Sequence, residues 1–231
     1  MIKTRSASLK QMIIGSVLIL SLLFAFALFG KSVIFYLSGT VKLNASNLFG
    51  TRLFFWVSLG LLWLYCSTIE KGSLLLWEEK KYPLKKIIKY LAVLFLVLFA
   101  GSMVIRLVLY LAGIKSSSEE LAKLVVIFKS NRWLLLFTCI TAGVAEELIF
   151  RGYLLPRLAL IFNSPVWAII ITSVLFGLLH AGYGTVAQII GPIFIGAVFG
   201  YFYWKYRNIK VIILMHFLWD FVTLSILPSQ S

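Results

Sequence analysis

Long apolar runs separated by short polar segments extend along the whole chain. A helix needs about 20 predominantly apolar residues to cross a bilayer, and seven runs approach or exceed that length. These runs lie near residues 11–30, 52–68, 87–113, 132–156, 164–182, 185–204 and 208–227. The first is expected to end at Lys31. The pattern predicts an all-α fold, a polytopic membrane helix bundle of about seven transmembrane helices.

Two further segments mix apolar and charged residues, and we expect them to lie at the membrane surface. Residues 72–86 combine acid–base pairs with a proline, as in a loop at the lipid headgroups. Residues 116–130 contain Ser117 and Glu120 at the spacing of a helix capping box. The apolar residues of this second segment share one helical face: Leu121, Leu124, Val125 and Phe128. The pattern favours an amphipathic helix lying on the membrane over a helix that binds a partner.

Composition excludes an ordinary soluble domain, because 61% of the residues are hydrophobic and only 13% are charged. The formal net charge of +14 could indicate nucleic-acid binding, but the basic residues cluster at span ends. Such residues include Lys3, Arg5, Lys10, Lys80, Lys81, Lys85, Lys86, Lys205, Arg207 and Lys210. Because Lys/Arg-rich loops stay in the cytoplasm, we expect a multi-pass integral membrane protein with a cytoplasmic N-terminus. Its partner is the lipid bilayer, and no nucleic acid is expected.

The stretch AGVAEELIFRGYLLP, residues 142–156, places charged residues inside an apolar run. Each charge near the centre of a span costs about 2.5–3.5 kcal/mol. Glu147 and Arg151 are four residues apart with the acid first, which favours an ion pair on one helical face. Glu146 points roughly 100° away from Glu147, and Gly143 is expected to leave open space beneath it. We therefore interpret Glu147 and Arg151 as a pair and Glu146 as a carboxylate available for chemistry.

The only two histidines of the chain lie in later spans. His180 ends one apolar run, and His216 lies inside the last run with Asp220 four residues later. A carboxylate one turn from an imidazole can accept its ring N–H. With Glu146 as general base on a water molecule, this set fits hydrolysis. Two alternatives stay open for the imidazoles: they hold a divalent metal such as zinc, or they donate to an oxyanion with no cofactor.

Three motifs on separate spans resemble those of a known family. EELIFR (146–151), FGLLH (176–180) and HFLWD (216–220) match in order and spacing the motifs of the CPBP group. This group contains the CAAX prenyl proteases of the Ras-converting-enzyme type and their bacteriocin-processing and immunity relatives. The resemblance covers about residues 130–225. It divides the chain into N-terminal membrane helices with interfacial segments, 1–130, and a catalytic core of four spans, 131–227.

The resemblance implies an intramembrane endopeptidase that acts on a membrane-associated peptide or protein. Glu146 would activate water with His180 as its partner, beside the Glu147 and Arg151 of the same motif. His216 would be a metal ligand or an oxyanion stabiliser, and the tentative metal ligands are His180 and His216. The eukaryotic prenyl proteases end the third motif in Asn, whereas this chain has Asp220. A carboxylate cannot donate a hydrogen bond as an amide can. This difference favours an imidazole-orienting or metal-linked role for Asp220.

Two other functions are compatible with the same residues. Buried Glu, His and Arg residues can form a proton-coupled transport path, although no internal repeat supports a transporter. The protein could also be a noncatalytic immunity or scaffold protein of the same fold. One geometric mismatch concerns depth: Glu146 lies well down a descending span, while His180 lies near the outer end of the next span. The two meet only if the fourth span is long or bent, for example around Gly152 and Pro156.

Overall fold

Helices dominate the computed structural model, which describes residues 7–40, 42–115 and 117–226. The first helices are α1 (Leu9–Ser38), α2 (Ala45–Thr68), α3 (Leu84–Leu111) and α4 (Glu119–Ser130). The remaining α-helices are α5 (Arg132–Thr141), α6 (Leu155–Ile161), α7 (Pro165–Leu178), α8 (Ala187–Tyr206) and α9 (Ile209–Ile226). Within the described ranges, seven helical spans are long and apolar enough to cross a membrane, which confirms the predicted bundle. Lys3, Arg5 and residue 227 lie outside those ranges.

The first span is longer than expected. We expected Lys31 to end it, and this prediction is wrong, because α1 continues to Ser38 and ends at Gly39 with a φ of 65°. The Lys31 side chain is 62% exposed and reaches Glu120 of α4, with Nζ 3.3 Å from Oε2. A long lysine side chain can carry its charge away from the apolar helix surface. The charge of Lys31 therefore does not require the helix to end at this residue.

Residues 72–83 form an irregular strap that packs on the protein. Leu76 and Trp77 are buried. The Lys80 N–H donates to the Arg207 carbonyl at 2.7 Å, and Asn208 Nδ2 donates to the Lys80 carbonyl at 2.7 Å. These bonds attach the strap to the turn between α8 and α9. The basic and acidic residues of this segment thus lie over one end of the bundle.

The predicted amphipathic helix is present as α4, with its start one residue later than expected. Ser118 rather than Ser117 caps it, since the Leu121 N–H donates to Ser118 Oγ at 3.1 Å. Leu124 and Phe128 are buried in a cluster with residues of α2 and α5. The apolar face of α4 therefore packs against neighbouring helices instead of against lipid.

The fourth span, Arg132–Ile161, is the most enclosed of the seven. Of the 18-residue apolar stretch in each span, 67% is buried in this one. Between α5 and α6 it contains two π-helical segments, Ala142–Glu146 and Leu148–Leu154. Short π-helical turns are uncommon and occur frequently at functional sites. The open space expected beside Gly143 is absent: a Cβ there would lie 2.7 Å from the Ile213 carbonyl oxygen. The missing side chain instead lets the α9 backbone approach this span.

A buried ion pair connects the end of α2 to the fourth span. The sequence analysis did not predict it. Glu70 and Arg157 are 1% and 0% exposed, and Arg157 Nη2 donates to Glu70 Oε2. The Tyr153 hydroxyl donates to Glu70 Oε1 at 2.9 Å. Further guanidinium N–H groups donate to the carbonyls of Ser73 and Leu74. The sequence indicated this ion pair only by placing Arg157 inside an apolar run. The partner of Arg157, Glu70, lies 87 residues away in the chain.

Candidate active site

Glu147 joins the fourth span to α9. Its Oε1 accepts from Arg151 Nη1 at 2.7 Å and from His216 Nδ1 at 2.8 Å. Glu147 and Arg151 are 0% and 1% exposed, and His216 is 4% exposed. The structure thus contains the ion pair predicted from the i, i+4 spacing. It adds a contact to His216, which lies 69 residues later in the chain.

Aromatic rings surround the Arg151 guanidinium. Its Cζ lies 4.6 Å from the centroid of the Phe176 ring and 5.8 Å from that of Phe199. Cations over ring faces are attracted by the ring quadrupole, most strongly where water is excluded. One carboxylate and these rings therefore stabilise Arg151 inside the bundle. Its Nε and Nη2 have no hydrogen-bond partner in the described part of the chain.

Asp220 lies beside His216 without a hydrogen bond to it. Asp220 Oδ2 is 3.6 Å from His216 Nε2, a separation too long for a hydrogen bond. The sequence predicted that Asp220 would accept a ring N–H, whereas Glu147 is the acceptor that the structure places at bonding distance. The Asp220 side chain is 26% exposed. Its influence on the imidazole in this arrangement is electrostatic.

Glu146 differs from its neighbour in having no direct partner. It is 7% exposed. Across residues 7–40, 42–115 and 117–226, no side chain or backbone group forms a hydrogen bond or ion pair with its carboxylate. Its electrostatic neighbours are Arg151, His216 and Asp220. Glu146 is therefore a carboxylate at the centre of the bundle with its acceptor positions unused.

His180 presents one free ring nitrogen. Its Nδ1 lies 2.8 Å from the Phe176 carbonyl oxygen, and a carbonyl can only accept, so Nδ1 carries the proton. The lone pair of the neutral ring is then on Nε2. The Phe176 ring centroid lies 4.8 Å from that of His180 and 6.1 Å from that of His216. Phe176 thus contacts both imidazoles.

The expected mismatch in depth between Glu146 and His180 is absent. The fourth span ends at Ile161 rather than near 156, so Glu146 lies 15 residues before its end. His180 lies 15 residues after Pro165, where α7 begins. At about 1.5 Å per residue, both lie roughly 22 Å from the connecting turn. Asp220 interacts electrostatically with both of them.

Residues 128–222 match the family described as Rce1-like, type II CAAX prenyl endopeptidase. The chain is similar to this family over these residues, which are 95 of its 231. No curated protein and no solved structure matches the chain. This similarity supports a CAAX-type intramembrane endopeptidase in general terms. The matched segment contains all six predicted site residues and excludes α1, α2 and α3.

A metal site was one alternative for the two histidines. Among the described residues, no three His, Cys, Asp or Glu side chains are grouped so that they could hold a metal ion. His216 Nδ1 is already bonded to Glu147, and its Nε2 faces Asp220. The side chains as placed therefore do not fit a metal centre.

Proposed function

We propose that this Rce1-like protein hydrolyses a peptide bond in a membrane-associated peptide or protein with a water molecule activated by Glu146. One contrast carries the proposal: Glu147 is bonded to both Arg151 and His216, whereas Glu146 has no direct partner. A general base must be free to accept a proton from water. Glu146 is free in this way, and Glu147 is not.

The reaction follows from these positions. Glu146 removes a proton from a water molecule that also donates to His180 Nε2, and the oxygen of that water bonds to the scissile carbonyl carbon. The carbonyl π electrons move to oxygen, and the resulting oxyanion requires a donor in this water-poor site. A protonated His216 supplies its Nε2–H while Glu147 holds Nδ1 and Asp220 balances the charge. The C–N bond then breaks, and the proton on Glu146 passes to the leaving amine.

The direct test is Glu146→Gln in purified protein reconstituted in liposomes. The assay substrate is a lipidated, fluorogenic peptide. Since the amide cannot accept the proton, we expect cleavage to fall by at least about 10²–10⁴-fold, the usual contribution of general-base catalysis. Thermal stability in detergent should stay at the wild-type value, because no hydrogen bond is lost.

Glu147→Gln is the matched control. It makes the same chemical change one residue away, but it removes the charge that pairs with Arg151. Breaking a buried ion pair costs about 3–5 kcal/mol, so this variant should unfold at a clearly lower temperature. Wild-type turnover by Glu146→Gln, or equal loss of stability in both variants, would contradict the division of roles.

The metal alternative has its own test. Without a metal requirement, cleavage should continue after dialysis against chelator, and elemental analysis of the active protein should find no stoichiometric metal. Loss of cleavage on chelation with recovery on adding zinc would instead show that the histidines rearrange around an ion, since metal affinity requires deprotonated, correctly placed ligands.

A further inference from the structure

A cavity of about 610 Å³ opens between α3 and α8, next to the strap. Residues of α3 between Lys85 and Leu94 line one side of it, and Phe202 and Tyr206 of α8 line the other. The Tyr82 hydroxyl, at the end of the strap, donates to the Tyr206 carbonyl at 2.9 Å and so connects the strap to the end of α8. None of the six candidate site residues lines this cavity. It is therefore separate from the candidate active site.

The exposed side of the cavity is basic. Its three charged residues are Lys85, Lys86 and Lys89, and among the described residues no carboxylate forms an ion pair with any of them. Lys86 Nζ lies 4.5 Å from the centroid of the Tyr82 ring and 5.6 Å from that of Tyr90. Ring faces attract an ammonium group, so these two rings hold the Lys86 charge at the cavity. Positive charge is thus concentrated here without a counterion from the protein.

The inner side of the cavity is aromatic and apolar. The centroid of the Tyr90 ring lies 5.2 Å from that of Phe202 and 4.7 Å from that of Tyr206. Val93 and Leu94 follow one turn later on α3, and Leu94 and Phe202 are each 4% exposed. This side offers apolar surface and no charged group. A ligand that fills the whole cavity must therefore combine an anionic group with an apolar chain.

The length of α3 places the two sides at different depths of a bilayer. Its 28 residues extend for about 42 Å, which matches the thickness of a bilayer with its headgroups, roughly 40–45 Å. Lys85 and Lys86 belong to the first turn and so lie among the headgroups, which the long Lys89 side chain can also reach. Val93 and Leu94 lie more than two turns along the helix, at the depth of the acyl chains. The basic side thus matches a lipid headgroup, and the apolar side matches a lipid tail.

We propose that this cavity binds an anionic phospholipid, with its phosphate at Lys85, Lys86 and Lys89 and one acyl chain along the apolar side. Each ammonium group donates up to three hydrogen bonds, and hydrogen bonds to a charged phosphate are the strong ones. Basic pockets between transmembrane helices are suited to acidic lipid headgroups. Since the lysines belong to α3 and part of the apolar side belongs to α8, the lipid links the two helices. The inference does not depend on the proposed peptidase activity.

The experiment counts bound lipids by native mass spectrometry of the purified protein in detergent micelles. The protein is titrated separately with dioleoyl phosphatidylglycerol, dioleoyl phosphatidylcholine and inorganic phosphate. Because lysines at a lipid surface favour anionic headgroups, the Kd of one phosphatidylglycerol should be about 10–100-fold lower than that of phosphatidylcholine. Inorganic phosphate lacks the apolar chain and should not displace the bound lipid.

Two variants and one control locate the binding. Changing Lys85, Lys86 and Lys89 together to Gln should reduce the preference for phosphatidylglycerol to about 1. Val93→Trp keeps all three charges but fills the apolar side, so it should lose the bound phosphatidylglycerol. The control changes Lys10, Lys80 and Lys81 to Gln, which removes the same number of exposed charges outside the cavity. It should keep the wild-type preference.

Each opposite result overturns the inference. Equal binding of both lipids by wild type would show an unselective apolar surface, and displacement by inorganic phosphate would show a site for soluble anions. An equal loss of preference in both triple variants would assign it to net charge alone. A lower unfolding temperature of the Lys85, Lys86 and Lys89 variant in lipid-free detergent would make these lysines structural. Spectra of two chains without lipid would assign the surface to self-association.

Discussion

Glu146 and Glu147 are neighbours in sequence, yet the fold surrounds them differently. Glu147 accepts two hydrogen bonds from cationic or potentially cationic groups, which hold its position and charge in a low-dielectric interior. Glu146 keeps its lone pairs free and lies within electrostatic reach of His216 and Asp220. This difference supports the proposed roles, in which Glu147 organises the site and Glu146 exchanges a proton.

Asp220→Asn tests whether Asp220 acts through its charge. The carboxylate lies 3.6 Å from His216 Nε2, without a hydrogen bond. The amide keeps the size and removes the charge, so turnover should fall by about 10–100-fold, by analogy with the carboxylates that orient metal-bound histidines. Thermal stability should change little, because Asp220 is partly exposed. Turnover at or above the wild-type rate would indicate that an amide donor serves better at this position.

The π-helical part of the fourth span determines how the helix presents its motif. In a regular α-helix, residues 142–154 would turn by about 100° per residue, whereas the π segments contain i to i+5 hydrogen bonds and a wider turn. The pairing of Glu147 with Arg151 at i+4 survives this change. The absence of a side chain at Gly143 lets the backbone of α9 approach closely enough for His216 to reach Glu147.

Gly143→Ala should disturb this contact between elements. The new Cβ would lie 2.7 Å from the Ile213 carbonyl oxygen and 3.2 Å from the Phe217 nitrogen, so α9 must move. Overpacking of this kind costs about 1–3 kcal/mol, and we expect a lower unfolding temperature and a loss of cleavage. Gly60→Ala in α2 is the control, since its Cβ would meet nothing within 4 Å. Equal unfolding temperatures and turnover in both variants would refute the role of this approach.

The whole molecule is larger than its family-matched segment, and the two regions of the chain share a buried ion pair. Arg157 lies inside residues 128–222, and Glu70 lies outside them. The strap of residues 72–83 follows Glu70, and its Ser73 and Leu74 carbonyls accept from the same guanidinium. The end of α2 is therefore attached to the fourth span by a specific charged contact as well as by apolar packing.

A double-mutant cycle measures this attachment. Glu70→Gln or Arg157→Met alone removes one charge of this buried ion pair, which should lower the free energy of unfolding by about 3–5 kcal/mol. The double variant should be more stable than the sum of the two losses predicts, with a coupling of about 0.5–3 kcal/mol. Thermal and denaturant unfolding in detergent provide the readout. Additive losses would show that the two side chains contribute independently.

Sequence alone was sufficient for features whose causes lie within one segment. The length of the apolar runs predicts seven spans, because a bilayer imposes the same length on every crossing helix. The spacing of Glu147 and Arg151 predicts their ion pair, because both belong to one helix. Even here the observed helix boundaries differed from the predicted ones, as at Lys31 and Ser117. The first and last residues of a helix depend on local caps and neighbours.

Tertiary structure decided every contact between distant segments. The bonds from His216 to Glu147 and from Arg157 to Glu70 join residues 69 and 87 positions apart. Hydrophobic periodicity indicates which helix faces are buried, but it does not specify the rotation, depth and partner of each helix, which depend on how side chains fit across the whole bundle. For this reason the motifs could identify the six candidate residues, while only the packed structure could show that Glu147 is bonded and Glu146 is free.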